Sequence, residues 1–234
     1  MVAMVLKDRQ KTVLKATVLE HLKTARPVAS ADLLRAGLGV GPETIRNEML
    51  ALDEFGYLEQ PHTSSGRVPT DRGYRFFIEN LISQFSLSER EEQMLKNVFG
   101  ISDEDEFVKE FSKIISQISG AFAAAGMFGE EVFYDTGFSK IADEPEFSDF
   151  ESFKNFGRLV DMLDEEVRHV FDEESDEMIF IGDENPMKEA RECAMIISSW
   201  KHPRGFEGFF TIIGPKRTNY AKHKAVIKTL KEWK

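Results

Sequence analysis

Four side chains in the run Pro42-Glu43-Thr44-Ile45-Arg46-Asn47-Glu48-Met49 carry the donor and acceptor chemistry that reads base edges. With Ile45, Met49 and Leu52 turned inward on a helix advancing about 100° per residue, Glu43 and Asn47 point outward and Thr44 and Arg46 flank them. Asn47 can pair with an adenine edge, Arg46 with guanine or a phosphate, and Thr44 with a thymine methyl or a phosphate. Glu43 can accept from a cytosine amine or simply favour the helix N-terminus. Spacing alone also describes any polar helix face. A second cluster, His62-Thr63-Ser64-Ser65-Gly66-Arg67, adds donors: Ser64, Ser65 and Gly66 are small enough to bring backbone amides to a phosphate. His62 and Arg67 stand beside them. The same residues also make a good hairpin turn.

These groups need a scaffold, and the surrounding sequence predicts one. Asp8 to Ala25 has amphipathic helical spacing through Val13, Leu14, Val18 and Leu22 and stops near Arg26-Pro27. Ser30 is read as the N-cap of a short helix, Ala31 to Ala36, where its hydroxyl would stand near a phosphate. Gly37-Leu38-Gly39-Val40-Gly41 is the turn into a third helix from Pro42 to about Phe55, stopped by Gly56. Two short strands then flank the small-residue tip, Tyr57 to Gln60 and Arg67 to Pro69, and Thr70 caps a helix from Asp71 to about Ser83. Three helices, a hairpin and a helix predict a winged helix-turn-helix with a linker helix over residues 1–84.

Residues 85–234 read as a separate α+β domain. Helix starts stand at Ser88-Glu89-Arg90-Glu91 and Ser102-Asp103-Glu104-Asp105, and a long helix is predicted from Phe150 to Phe171. Strands are expected at Glu131 to Tyr134, Met178 to Ile181, Cys193 to Ser199 and Gly208 to Ile213, before a last helix from Tyr220 to Trp233.

Charge separates these regions. The net charge of −11 over 234 residues is +1 for residues 1–84, −19 for 85–200 and +7 for 201–234. The acidic centre would be repelled by phosphate, so a DNA-contacting module belongs at the N-terminal end. The single cysteine, Cys193, excludes an internal disulfide framework and any multi-cysteine metal site within one chain. The apolar start, Met1 to Leu6, is too short for a secretory core, and no apolar run is long enough to span a membrane. A cytoplasmic protein is therefore expected.

Other signals are weaker. Gly37-x-Gly39-x-Gly41 lacks the preceding strand and the Lys-Ser/Thr of a nucleotide loop. The five histidines have no metal-ligand spacing, and no carboxylate pair can be nominated for acid–base work. Gly214-Pro215-Lys216-Arg217 can hold an anion or simply turn the chain from strand to helix. Cys193 sits in an apolar run that favours a core position over a thiol sensor. No catalytic residue, metal or cofactor is expected, and a non-enzymatic role follows. A winged helix borrowed by an enzyme or a protein-interaction domain is the competing class.

Several runs resemble the HrcA heat-inducible transcription repressors. They are Asp8-Arg9-Gln10-Lys11-x-x-Leu14, Pro27-Val28-Ala29-Ser30, Thr44-Ile45-Arg46-Asn47-Glu48-Met49 and, above all, the continuous stretch from Gly56 to Arg75. Pro145-Glu146-Phe147, Ile181-Gly182-Asp183-Glu184-Asn185 and Gly214 to Tyr220 are similar to the family's later motifs. The resemblance implies a GAF-like second domain and a dimeric bacterial repressor. It would bind an inverted-repeat operator (CIRCE) at chaperone genes, leave it on heat stress, and depend on the GroEL chaperonin. Against that pattern, much of the family's central segment, including its inserted dimerisation subdomain, is missing between Ile114–Phe128 and Asp135-Thr136-Gly137. The Phe-rich second domain is expected to supply a homodimer interface in its place. The nearest alternative is a winged-helix regulator whose GAF-like domain senses a small ligand.

Overall fold

The computed structural model describes residues 6–63 and 65–233. Ser64, the first five residues of the apolar N-terminal run, and Lys234 lie outside the described residues. The chain divides into two compact units, residues 1–83 and 84–234.

In the first unit, α1 (Asp8–Thr24) buries Val13, Leu14, Thr17 and Val18, one stripe of an amphipathic helix. The Lys7 N–H donates to Gln10 Oε1 at 3.0 Å at its start, and left-handed Ala25 (φ 52°) ends it before Pro27. Helix α2 (Ser30–Arg35) starts one residue earlier than predicted. Its N-cap is Ala29, whose N–H donates to Asp32 Oδ2 at 2.7 Å, so Ser30 is the first helical residue and not the cap. The Asp32 side chain, at the third helical position, thus reaches back to the Ala29 N–H and sets the helix start one residue before the place a Ser30 cap would give it.

Helix α3 (Pro42–Glu54) has proline in its first turn and buries Ile45, Met49 and Leu52. Strands β1 (Leu58–Glu59) and β2 (Val68–Pro69) pair antiparallel, Leu58 opposite Pro69. The hairpin is strapped to the start of α2 by reciprocal backbone bonds between Val28 and Arg67, each 2.9 Å. Gly66 is required there: a Cβ on it would lie 2.4 Å from the Val28 carbonyl carbon and oxygen. Helix α4 (Asp71–Asn80) is capped by the Thr70 hydroxyl, which accepts from the Gly73 N–H at 3.1 Å. It ends three residues short of the predicted Ser83.

The second unit is built on a five-stranded antiparallel sheet in the order β4-β3-β7-β6-β5. The strands are β3 (Phe122–Met127), β4 (Phe133–Thr136), β5 (Glu177–Ile181), β6 (Cys193–Lys201) and β7 (Glu207–Pro215). Helices α5 (Glu89–Val98) and α6 (Glu104–Ser119) precede the sheet, short α7 (Phe138–Ala142) and long α8 (Phe150–Val170) interrupt it, and α9 (Tyr220–Glu232) follows it. One face of the sheet meets α8: Phe156, Leu159, Leu163 and Val167 pack on Phe122, Met195, Phe209 and Ile213. The other meets α6 and α9, with Phe107 4.9 Å from Trp200 and Phe111 5.7 Å from Phe210 between ring centroids.

Covered on both faces, β3, β6 and β7 are buried almost end to end and lose the alternation that marks a half-exposed strand. Strand β3 was not foreseen, and β4 runs two residues later than the predicted Glu131 to Tyr134. No helix among the described residues is long and apolar enough to cross a membrane.

Candidate nucleic-acid interface

The inward residues of α3 fix what its outer face presents. Glu43, Arg46 and Asn47 are exposed and Thr44 is half-buried, as the helical spacing requires. Arg46 makes no ion pair with any other described residue. Between α3, the start of α2 and the hairpin lies a groove of about 310 Å³, lined by Ser30, Arg46, Thr63, Ser65, Gly66 and Arg67 among others. Six of the sequence-nominated residues, from three elements, thus meet around one concavity. Glu43, Thr44, Asn47 and His62 are not in its lining.

Two of the six are already occupied by the fold. Arg67 Nε donates to Asp53 Oδ2 on α3 at 2.8 Å with most of its side chain buried, and its backbone forms the strap to Val28. It therefore positions the hairpin against α3 instead of offering a free cation. The Ser65 N–H donates to the His62 carbonyl at 2.9 Å, and its hydroxyl accepts from the His62 N–H and donates to the same carbonyl. The Ser65 amide is thus spent on closing the tip and is not aimed at a phosphate.

Gln60 was not nominated, yet its side-chain amide donates to the carbonyls of Ser65 (2.9 Å) and Thr63 (3.3 Å) and braces the tip from inside. Its place at the end of a predicted strand gave no sign of that. Arg72 braces the hairpin from α4, lying 4.4 Å over the Tyr57 ring and donating to the Phe55 carbonyl at 2.8 Å.

In the second unit, the anion reading of Gly214-Pro215-Lys216-Arg217 does not hold. The Arg217 guanidinium is 12% exposed and bound by both Glu144 and Glu146, which fill its donor fork. Cys193 is fully buried on β6, and burial pushes its thiol up to about 12, so it carries no thiolate at neutral pH.

Residues 72–223 match the family described as the HrcA protein C-terminal domain. The chain belongs to the HrcA family. Among curated relatives it is 52% identical over 95 residues to the heat-inducible transcription repressor HrcA of Chloroflexus aggregans, a match covering 40% of this chain and 25% of that protein. It is 43% identical over 131 residues to that of Brevibacillus brevis, covering 55% and 38%. The matched part thus spans between a quarter and about two fifths of those HrcA repressors. A crystal structure of a protein described as hypothetical shares the fold over 97% of both chains, with a TM-score of 0.75 and 17% identity.

Proposed function

We propose that the first unit is a winged helix-turn-helix that binds double-stranded DNA and that the chain is a transcriptional repressor of heat-shock genes, not an enzyme. The observation that carries this reading is the groove that gathers α3, the start of α2 and the hairpin tip around Arg46. Helix α3 is the recognition helix: Asn47 and Arg46 read base edges, with Thr44 and Glu43 beside them, while Ser30, His62, Thr63 and Gly66 lie along the backbone. Arg67 and Ser65 act by holding the wing in place.

The second unit is GAF-like and regulatory, and it joins two chains into a homodimer that spans an inverted-repeat operator. Two half-sites at fixed spacing require two recognition helices related by a two-fold axis. Heat releases the repressor in the cytoplasm, and the GroEL chaperonin restores its active form. The names of the curated relatives support the heat-inducible repressor part, and the operator and chaperonin parts are carried by family resemblance.

The test is binding to an inverted-repeat duplex against a scrambled duplex, with and without chaperonin, at fixed salt because phosphate binding is salt-dependent. Preference for the repeat that chaperonin strengthens is the expected result. Preference that ignores chaperonin leaves a repressor with another sensor, and no preference removes the DNA reading.

A further inference from the structure

Two features of the second unit have no role in the fold itself. Phe150, at the first position of α8, is 78% exposed. A cleft of about 800 Å³ lies at the other end of the same helix, floored by Phe128 and Phe171 and rimmed by Glu131, Glu165, Asp172 and Glu173. Arg168 lines that cleft, but its guanidinium is committed to Asp164 and to the carbonyls of Met127 and Val132. Phe150 and Arg168 stand about five turns apart on the same edge of the helix.

We infer that a second copy of this chain docks antiparallel on α8, each Phe150 entering the other copy's cleft. The inference rests on the dimeric reading above and supplies its interface. Charge complementarity fixes the register. After Phe150, the exposed side chains of α8 are Glu151, Lys154 and Arg158 in its first half and Asp161, Glu165 and His169 in its second. When two such helices run antiparallel about the midpoint between Leu159 and Val160, Lys154 comes level with Glu165 of the other copy and Arg158 with Asp161. In the same register Phe150 comes level with His169 of the other copy, one residue beyond Arg168 of the cleft lining, and Glu151 comes level with Arg168. Every pair is repeated by the two-fold axis, as an isologous interface demands. Among the described residues Lys154 has only a long 3.7 Å ion pair, to Glu151.

The middle of α8 is shaped for close approach. Gly157 lies inside a 21-residue helix, where glycine weakens the element, and a Cβ on it would meet nothing of this chain within 4 Å. Space that the chain itself leaves beside its longest helix lets the neighbouring helix approach near the crossing point. The cleft has an aromatic floor for the phenyl ring, and Glu165 on its rim is the carboxylate that the register sets against Lys154.

The test uses the full chain in sedimentation equilibrium up to about 100 µM, alone and on the inverted-repeat duplex. Wild type should self-associate, and Phe150→Ser should weaken that by about ten-fold or more while leaving the folded chain intact, since the ring is exposed. A chain carrying K154E and R158E and a chain carrying D161K and E165K should each be monomeric. Their mixture should form a heterodimer, because all four cross-pairs then become opposite in charge.

A monomeric wild type with one chain per duplex overturns the proposal. So does a dimer unmoved by Phe150→Ser, which would leave the cleft to a small ligand, or a mixture that stays monomeric. Specific binding to a single half-site without any dimer keeps the DNA reading and removes this interface. Heterodimer rescue without DNA preference does the reverse.

Discussion

The two units treat arginine in opposite ways. In the first, Arg46 projects from α3 beside a groove and meets no carboxylate among the described residues, whereas in the second Arg217 is sunk between Glu144 and Glu146. Both stand in runs that look ready to hold an anion, Arg46 on a polar helix face and Arg217 after a Gly-Pro-Lys turn. What separates them is whether folding delivers a carboxylate. Glu144 and Glu146 arrive from 73 and 71 residues away, and nothing near Arg217 in the chain announces them. Arg67 is the intermediate case, a wing arginine that Asp53 claims from 14 residues upstream. A basic motif marks a binding site only where the tertiary structure leaves the charge unspent.

The largest effect should come from breaking the occupied arginine. Arg217→Ala leaves two half-buried carboxylates facing each other without a cation and should cost about 3 kcal/mol of stability. Both tryptophans, Trp200 and Trp233, lie in the second unit, so urea unfolding followed by tryptophan fluorescence reads that unit directly. A loss under about 0.5 kcal/mol would mean the pair behaves as a solvent-exposed one.

Gly66→Ala tests the first unit through its architecture. The added methyl must push the hairpin from Val28 or break the strap, costing about 2 kcal/mol and weakening DNA binding to every sequence. Unchanged stability together with unchanged DNA affinity would show that the strap does not hold the wing.

How far each unit could be read beforehand follows from the range of its interactions. The helices, turns and hairpin of the first unit are set by neighbours a few residues apart: the Pro42 start, the Thr70 cap, the left-handed Gly56 (φ 73°) and the spacing of Ile45, Met49 and Leu52. The structure puts Ser30 inside the helix and not at its cap because Asp32, reaching back to the Ala29 N–H, starts the helix one residue earlier. Strand β3 was illegible because Phe-Ala-Ala-Ala-Gly-Met has the composition of a helix and no alternation. It is a strand because β4 and β7 pair with it from either side. The residues of the candidate site were legible from their chemistry. Which of them the fold had already consumed was not, since Arg67 and Ser65 are engaged by partners that only the folded hairpin brings close.

The unspent residues give the next prediction. Asn47→Ala should relax preference at one base position by about 1–2 kcal/mol with little loss on scrambled DNA, while Arg46→Ala should weaken binding and, if it holds a phosphate, lower the salt slope by about one. Competition binding with single-position operator variants separates the two. Equal losses on all duplexes for Asn47→Ala would remove it from base reading.

The smallest effect is a pH slope in the second unit, and its sign follows from burial. His223 on α9 is fully buried, with Nε2 2.6 Å from the Thr218 hydroxyl and Nδ1 without a partner, and burial pushes its imidazole down to about 3. The folded ring stays neutral, while in the unfolded chain it takes a proton near its ordinary value of 6.5. Between those values the unfolded chain binds more protons, so stability rises with pH by up to about 1.4 kcal/mol per unit for such a group. This contribution is complete above pH 6.5 and is lost as the pH falls towards 3. His202, lowered by burial as well, adds in the same direction. Glu91, held down at about 2 by its bond from Lys222, contributes an acid loss only below its ordinary 4.5. Above pH 4.5 the rising slope comes from the buried histidines, and Asp135, whose carboxyl burial pushes up, acts against it. Urea midpoints by tryptophan fluorescence at pH 7, 6 and 5 should fall steadily for wild type and less steeply for His223→Gln, which keeps a hydrogen-bonding side chain but cannot titrate. Parallel slopes for the two would mean that His223 finds a proton acceptor in the folded chain and that its burial does not set the acid sensitivity of this unit.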